Sequence, residues 1–402
     1  MATLFLALIY ASFVSLGLPD AVLGAAWPVM GPELAVPDGY AGLASMVVAG
    51  GTVASSLLSD RLLGRFGTGR VTAASVGLTA AALLGYAVAP GFGWILVLAV
   101  PLGLGAGAVD AGLNHFVALH YGARHMNWLH CFWGLGAMLG PLVLAGVLET
   151  PGGWRTGYGI LSAAQWALAV LLALTLPLWK RFGDDGGPAR TAAPRPSPGR
   201  VLGRPGALAQ LLAYFFYCAI EGTTGLWAAS YLVRGRGVAA AVAAGWVSVY
   251  YLGITGGRFL SGCATRWCST DSLIRLGEGL AMGGMALLAL PLPVGVCPVG
   301  LCLIGLGYAP VYPGLMHQTP RRFGEDVSQT MIGMQMACAY LGSTLTPPLF
   351  GAMASALDVR ALPWFLLCGA ALLTVCGERV VRKTRRPAEV LLEKDGRTRY
   401  TG

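Results

Sequence analysis

The chain has 402 residues, 55% of them hydrophobic and only 11% charged, against about 25% charged in a soluble domain. Its formal net charge is +9. Apolar runs of about 20 residues recur along the whole length, which excludes a soluble globular fold and predicts an all-α membrane protein.

Twelve spans are expected, at about 3–28, 41–63, 69–90, 93–120, 126–148, 156–178, 206–232, 240–262, 272–291, 296–317, 327–354 and 361–380. The first run has no basic leading region and contains Pro19-Asp20, so it reads as a retained helix and not a cleaved signal. Arg61, Arg65 and Arg70 follow span 2, Arg124 follows span 4, and a run from Lys180 to Arg204 follows span 6. Arg266 follows span 8, and Arg321 and Arg322 follow span 10. The opposite loops hold only Arg155, Arg234, Arg236 and Arg360. The bias of basic residues toward the cytoplasm then puts both termini inside an inner (plasma) membrane. The net positive charge is a topology signal, which removes the case for a nucleic-acid partner. The nine cysteines are scattered and complete no zinc spacing, so all read as small buried apolar residues and no metal is expected.

In chain order, span 1 carries Asp20 beside Gly17, Pro19 and Gly24. An ionisable residue inside a span is by default functional, so Asp20 is a candidate proton-coupling acid. The bland alternative is a solvated carboxylate near the outer interface. Span 4 places Gly103, Gly107, Asp110 and Asn114 on one face, since steps of three and four return to the same side of a helix. Asp110 is the second proton-coupling candidate, and Asn114 is placed to bond it or a solute hydroxyl. Span 5 opens with Asn127-Trp128 and offers His130, either a donor to a solute or a structural histidine. Its Gly134, Gly136 and Gly140 form a small-residue packing seam.

Span 7 carries Glu221 with Trp227, whose ring suits the apolar face of a sugar or the packing of a core. In span 9, Arg275 and Glu278 stand one turn apart and are expected to neutralise each other. Span 10 contributes Tyr308 and Tyr312, and span 11 contributes Gln335, the deeper of its two interior glutamines. The solute-binding candidates are therefore Asn114, His130, Glu221, Trp227, Tyr308, Tyr312 and Gln335.

The chain repeats itself at an offset of 202 residues. Gly103-Leu-Gly-Ala-Gly-Ala-Val-Asp-Ala-Gly-Leu-Asn-His115 lies over Gly305-Leu-Gly-Tyr-Ala-Pro-Val-Tyr-Pro-Gly-Leu-Met-His317, with seven of thirteen positions identical. At the same offset Leu58-Ser59 lies over Leu260-Ser261, and Gly140 over Gly342. The expected organisation is an N-terminal six-helix bundle (1–179), a cytoplasmic linker rich in Pro, Gly and Arg (180–205), a C-terminal six-helix bundle (206–381) and a basic cytoplasmic tail (382–402).

With these features the chain resembles the major facilitator superfamily. Asp60-Arg61-Leu-Leu-Gly64-Arg65 after span 2 is similar to that superfamily's signature loop, with Ser56 where a leading glycine is usual. Gly257-Arg258-Phe259-Leu260-Ser-Gly262 reads as its echo in the second half. The resemblance implies that Asp60, Arg61, Gly64 and Arg65 latch neighbouring helices at the cytoplasmic face. A narrower resemblance, through Leu18-Pro19-Asp20, Asp110-Ala-Gly-Leu-Asn114 and Tyr217-Cys-Ala-Ile-Glu221, is to the fucose permease type of sugar:proton symporter. It implies proton-coupled symport of a sugar or similar small polar solute by alternating access, with no cofactor. The alternative is a proton-antiport exporter of drugs or metabolites, which predicts a more apolar cavity. Sodium is the alternative coupling ion. No catalytic constellation is present, so an enzyme is not expected. The expected partners are a small-molecule solute and the lipid bilayer, with the chain acting as a monomer.

Overall fold

A computed structural model describes residues 2–121, 123–181 and 197–384. The expected 180–205 linker and 382–402 tail lie largely outside them. Among the described residues every regular element is helical, as a bilayer demands of a backbone that finds no water to bond.

The helices group, among the described residues, into twelve long units. α1 comprises two segments, Ala2–Asp20 and Val22–Glu33; α2 is Tyr40–Phe66, α3 Thr68–Ala87, α4 Phe92–His120, α5 Ala123–Val147 and α6 Gly153–Leu174. α7 is Ala207–Ser230, prolonged by a wide turn at Tyr231–Gly235; α8 is Ala240–Ala264 and α9 Thr270–Ala289. α10 again comprises two segments, Cys297–Tyr308 and Val311–His317, and α11 (Glu325–Ala356) and α12 (Leu362–Thr384) complete the set. Both broken helices carry prolines at or beside the break, Pro19 in α1 and Pro310 in α10, where the ring removes a donor and crowds the preceding turn.

Nine helices among the described residues are long and apolar enough to cross a membrane, and α7, α8 and α11 are not in that group. These three are long enough, at 24, 25 and 32 residues. They carry Glu221, Arg258 and Gln335, and a helix facing other protein can hold polar groups that lipid would exclude.

Helix pairing repeats between the halves. α1 packs on α5, α2 on α4 and α3 on α6, and the same pattern recurs as α7 on α11, α8 on α10 and α9 on α12. The glycine pair of the sequence repeat shows the match at atomic scale. A Cβ on Gly103 would meet the Val48 carbonyl oxygen at 2.1 Å, and one on Gly305 would meet the Tyr250 carbonyl oxygen at 2.1 Å. Val48 and Tyr250 are separated by the same 202 residues.

The halves meet where the second segment of α1 packs on α7, α2 packs on α11 and α5 packs on α8. The contact is tight at the end opposite the chain termini. There a Cβ on Gly24 would lie 2.4 Å from the Gly225 carbonyl oxygen, and one on Gly42 2.5 Å from the Pro348 Cα. Asp38 and Arg234 form an ion pair across the same end. One hydrophobic core runs through this region, joining Trp27 and Phe92 of the first half to Trp227, Leu232 and Phe350 of the second. At the end that carries the termini the core divides. Phe5, Phe13, Phe116 and Trp179 cluster in the first half, and Leu211, Phe323, Val327 and Val380 cluster separately in the second. The molecule is sealed at one end and parted at the other.

The four arginines that break the loop-charge pattern are all engaged at the sealed end. Arg155 pairs with Glu33, which also accepts the Trp154 indole N–H at 2.6 Å. Arg234 holds Asp38, Arg236 donates to the carbonyl oxygens ending α9, and Arg360 donates to the Gly235 carbonyl at 3.3 Å. Each is held by a structural contact.

Several local expectations are corrected. The signature stretch is the last two turns of α2, with the reversal confined to Gly67 at φ 78°. Arg61, Gly64 and Arg65 are exposed there, and the Asp60 side chain lies outside the described ones. The echo at Gly257–Gly262 likewise lies in the closing turns of a helix, since α8 continues to Ala264. Arg275 pairs with Glu378 of α12 at 2.5 and 3.1 Å instead of Glu278, since the α12 carboxylate takes both donors on one edge of the guanidinium. Of the cysteines, Cys297 and Cys376 are buried but Cys263, Cys268 and Cys368 are exposed.

Candidate functional site

Asp20 ends the first segment of α1, just past Pro19, where the helix breaks before Val22. The break swings its carboxylate toward α5, and Oδ2 accepts the Trp133 indole N–H at 2.7 Å. The residue is exposed to solvent although large side chains surround it, so it faces the parted space between the halves. Its electrostatic neighbours are Asp110 of α4 and Glu221 of α7. The break therefore brings together acids from three helices, two in the first half and one in the second.

Asp110 is partly buried, and the Asn114 amide, one turn on, donates to Oδ1 and to the Asp110 carbonyl, both at 2.9 Å. The i, i+4 spacing read from the sequence is thus used inside the helix. Tyr312 and Tyr340 of the second half lie within electrostatic reach of Asp110. Tyr312 donates its hydroxyl to the Met336 sulfur at 2.7 Å.

Glu221 is joined by a residue that sequence reasoning did not select. The Arg258 guanidinium, on α8, stands 3.7 Å from Glu221 Oε1, with the two side chains 16% and 20% exposed. The Tyr217 hydroxyl donates to the same carboxylate oxygen at 3.3 Å and lies beside Arg258. The Arg258 guanidinium carbon lies 5.4 Å from the centre of the Trp133 ring, a cation–π contact that crosses between the halves. Trp133 consequently offers its edge to Asp20 and its face to Arg258. Arg258 lay within the predicted eighth span, so the rule that selected Asp20, Asp110 and Glu221 applied to it equally. Matching its neighbourhood to a loop hid it.

His130 is exposed toward the same space, with its ring edge-on to Phe13 at 5.9 Å and Arg258 as its electrostatic neighbour. Tyr251, near Asp20 and Glu221, stands edge-on to Trp133 at 6.5 Å.

Three of the selected residues sit elsewhere. Trp227 is fully buried, donates to the Pro347 carbonyl at 2.9 Å and packs against Phe350 in the seal. Gln335 is fully buried and donates to Thr319 at 3.0 Å, fastening α11 to the turn after α10. Tyr308 is fully buried edge-on to Tyr217 at 5.8 Å. None of these three presents a free face to the gap. Helical position alone does not tell a pocket face from a packed face when neither faces lipid.

Chemically, the assembled groups comprise three carboxyls, one guanidinium, an amide, an imidazole and an indole. Such a set can exchange protons and bond a polar solute. Among the described residues no group of His, Cys, Asp and Glu is placed to hold a metal ion.

Comparison with known proteins agrees with this architecture. The Major Facilitator Superfamily profile matches residues 9–347. No curated protein sequence matches the chain. Two solved structures of a bacterial homolog to the human lysosomal transporter Spinster are similar in fold. The inward-facing, occupied form has TM-score 0.73 and 13% identity over 96% of this chain and 99% of that one. The inward-facing, unoccupied form has TM-score 0.74 and 14% identity over 96% and 98%. The fold follows from these likenesses, and with most of its length matched by the profile, the chain belongs to the Major Facilitator Superfamily.

Proposed function

We propose that this multi-pass membrane transporter couples protons to the uptake of a sugar or similar small polar solute by alternating access, in the manner of the fucose permease type. One observation carries the reading. Asp20 is exposed to the space between the halves, bonded to Trp133 and faced by Asp110 and Glu221. Neutralising clustered acids by protonation lowers the cost of closing a dry, occluded site around them. Asp20 and Asp110 take the coupling proton, and Asn114 and His130 bond the solute. The 1–179 and 206–381 bundles rock about this site. With both termini in the cytoplasm of a plasma membrane, the parted end faces inward and the seal of Asp38, Arg234, Gly42 and Pro348 faces outward. The exporter alternative calls for a broad apolar lining, whereas the groups facing this gap are charged or polar.

The test is uptake of radiolabelled neutral and acidic sugars into proteoliposomes, with and without an inward proton gradient. The wild type is expected to concentrate a solute only with the gradient, and Asp20→Asn and Asp110→Asn to abolish concentration. Uptake indifferent to the gradient and to both substitutions overturns the reading. Dependence on a sodium gradient instead replaces the coupling ion.

A further inference from the structure

We infer that Arg258 is an anion-binding residue and that the transported solute carries a carboxylate, which takes the place of Glu221 at the guanidinium. The inference rests on the proposed function only in treating the gap between the halves as the solute site.

Three observations support it. First, the Glu221–Arg258 pair is loose. At 3.7 Å the closest approach exceeds hydrogen-bond length, whereas the structural pairs Arg275–Glu378 and Arg322–Asp271 close to 2.5 and 2.6 Å. A guanidinium has five N–H donors in a planar fork suited to bidentate carboxylate binding. Here it has a face-on ring, one tyrosine hydroxyl and one distant carboxylate. Second, the pair opens on the gap, since both side chains keep part of their surface exposed although α1, α5, α7 and α8 converge on them. Third, the charges do not balance. Of the three acids Glu221 is the one paired with Arg258, while Asp20 faces Asp110 and Glu221, acid against acid. An incoming anion is repelled until these acids are neutralised, and becomes welcome once they are. Protonation would release Arg258 from Glu221 and admit a carboxylate in its stead, so each anion enters with a proton.

The charged and titratable groups facing Glu221 are Asp20 of α1, Tyr217 and Cys218 of α7, and Tyr250, Tyr251 and Arg258 of α8. His130 and Cys131 of α5 face Arg258 from the other half. Arg258 is the one permanent cation in this set. The neighbouring hydroxyl, amide and imidazole groups would bond hydroxyls on the same solute, which points to small hydroxy acids and sugar acids.

The experiment is calorimetric titration of the purified full chain with lactate, gluconate and glucuronate, each beside its neutral counterpart propane-1,2-diol, glucitol or glucose, at pH 5.5 and 7.5. At least one carboxylate is expected to bind about tenfold or more tighter than its counterpart, and tighter at pH 5.5 than at 7.5. Arg258→Gln is expected to remove that preference and Arg258→Lys to retain part of it. Glu221→Gln, which mimics the protonated acid, is expected to bind the carboxylate at pH 7.5 as tightly as wild type does at pH 5.5. Unfolding midpoints identify variants that fail to fold, and Glu221→Gln, a gain of binding, cannot arise from misfolding. The inference is overturned if no carboxylate is preferred over its counterpart, or if folded Arg258→Gln keeps the preference. Proton-driven uptake of a neutral hexose alone would sink this inference and leave the proposed function standing. Carboxylate binding through Arg258 without proton-driven uptake would do the reverse.

Discussion

Trp133 presents its indole N–H to Asp20 at 2.7 Å and its ring face to Arg258 at 5.4 Å, so one side chain orients a carboxylate and a cation. Trp133→Phe keeps a ring for Arg258 and removes the donor to Asp20. A hydrogen bond to an ionised group is worth about 1.5–3 kcal/mol. Gradient-driven uptake is therefore expected to fall about tenfold or more, with the unfolding midpoint near wild type. Unchanged uptake would show that Asp20 needs no orienting partner. Trp227 tests the contrary case. Fully buried between α7 and α11 and bonded to the Pro347 carbonyl, it is part of the seal. Trp227→Ala is expected to destabilise the fold by about 3–5 kcal/mol. Trp227→Phe should lower the midpoint modestly and leave solute affinity within about twofold. A large loss of affinity at an unchanged midpoint would instead put the indole in the site. The sequence reading singled out Trp227 and gave Trp133 no role. Trp227 stands one and a half turns from Glu221, which looks like proximity, yet the helix turns it into the α11 contact. Trp133 stands just before the Gly134, Gly136 and Gly140 seam, and as an uncharged side chain in an apolar run it carries no signal of its own. Asp20, Asp110 and Glu221 were legible because a charge inside an apolar run needs a reason. Arg258 met the same criterion.

The repeated glycine motif made the two-fold repeat legible in the sequence, and the helix pairing of the structure shows that the recurring glycine marks a recurring close approach. Gly103 and Gly305 both lie against a backbone carbonyl, of Val48 and Tyr250 respectively, at a distance no Cβ tolerates. Gly103→Ala and Gly305→Ala must push α2 from α4 and α8 from α10, since a backbone oxygen cannot swing aside as a side chain can. Overpacking of this kind costs about 1–3 kcal/mol. Gly279, in the middle of α9, has nothing within 4 Å of its would-be Cβ, and Gly279→Ala should leave stability unchanged or raise it by up to about 1 kcal/mol. Unfolding midpoints in detergent check all three, and equal effects would refute the close-contact account. Helix ends were less legible. α1 continues to Glu33 through Pro28 and Pro32, where proline is ordinarily a stop signal. Burial of Trp27, Pro28 and Met30 against other helices keeps the segment helical, a tertiary effect that local sequence does not encode.

At the scale of the molecule, the seal is polar at one point and apolar around it. Asp38 of the α1–α2 connection pairs with Arg234 of the α7–α8 connection, and glycines at 24, 39 and 42 let the two halves approach behind that pair. The relation between seal and gap decides how the acids can act. While the sealed end is shut, Asp20 is reached only through the parted end, and under the proposed function any proton it takes must come that way. For the site to face the other way, the Asp38–Arg234 pair must separate and the Gly42–Pro348 contact must open together, because both bind the same two rigid halves. Each side chain of the pair is partly exposed, at 34% and 24%, so its contribution is on the order of 1 kcal/mol. That is small against the apolar seal but large enough to shift a balanced equilibrium several-fold. Spin labels at Tyr40→Cys and Leu357→Cys, in a background without other cysteines, report the separation of α2 and α11 at this end. Both residues are exposed, so the labels need not disturb the packing. Asp38→Asn and Arg234→Gln are each expected to increase the population of long distances. The exchange Asp38→Arg with Arg234→Asp is expected to restore the short one, as a pairwise attraction should. If each single substitution leaves the distance distribution as in wild type, the seal is carried by the apolar contacts alone. The place to weaken it would then be the glycine–proline crossing of α2 and α11.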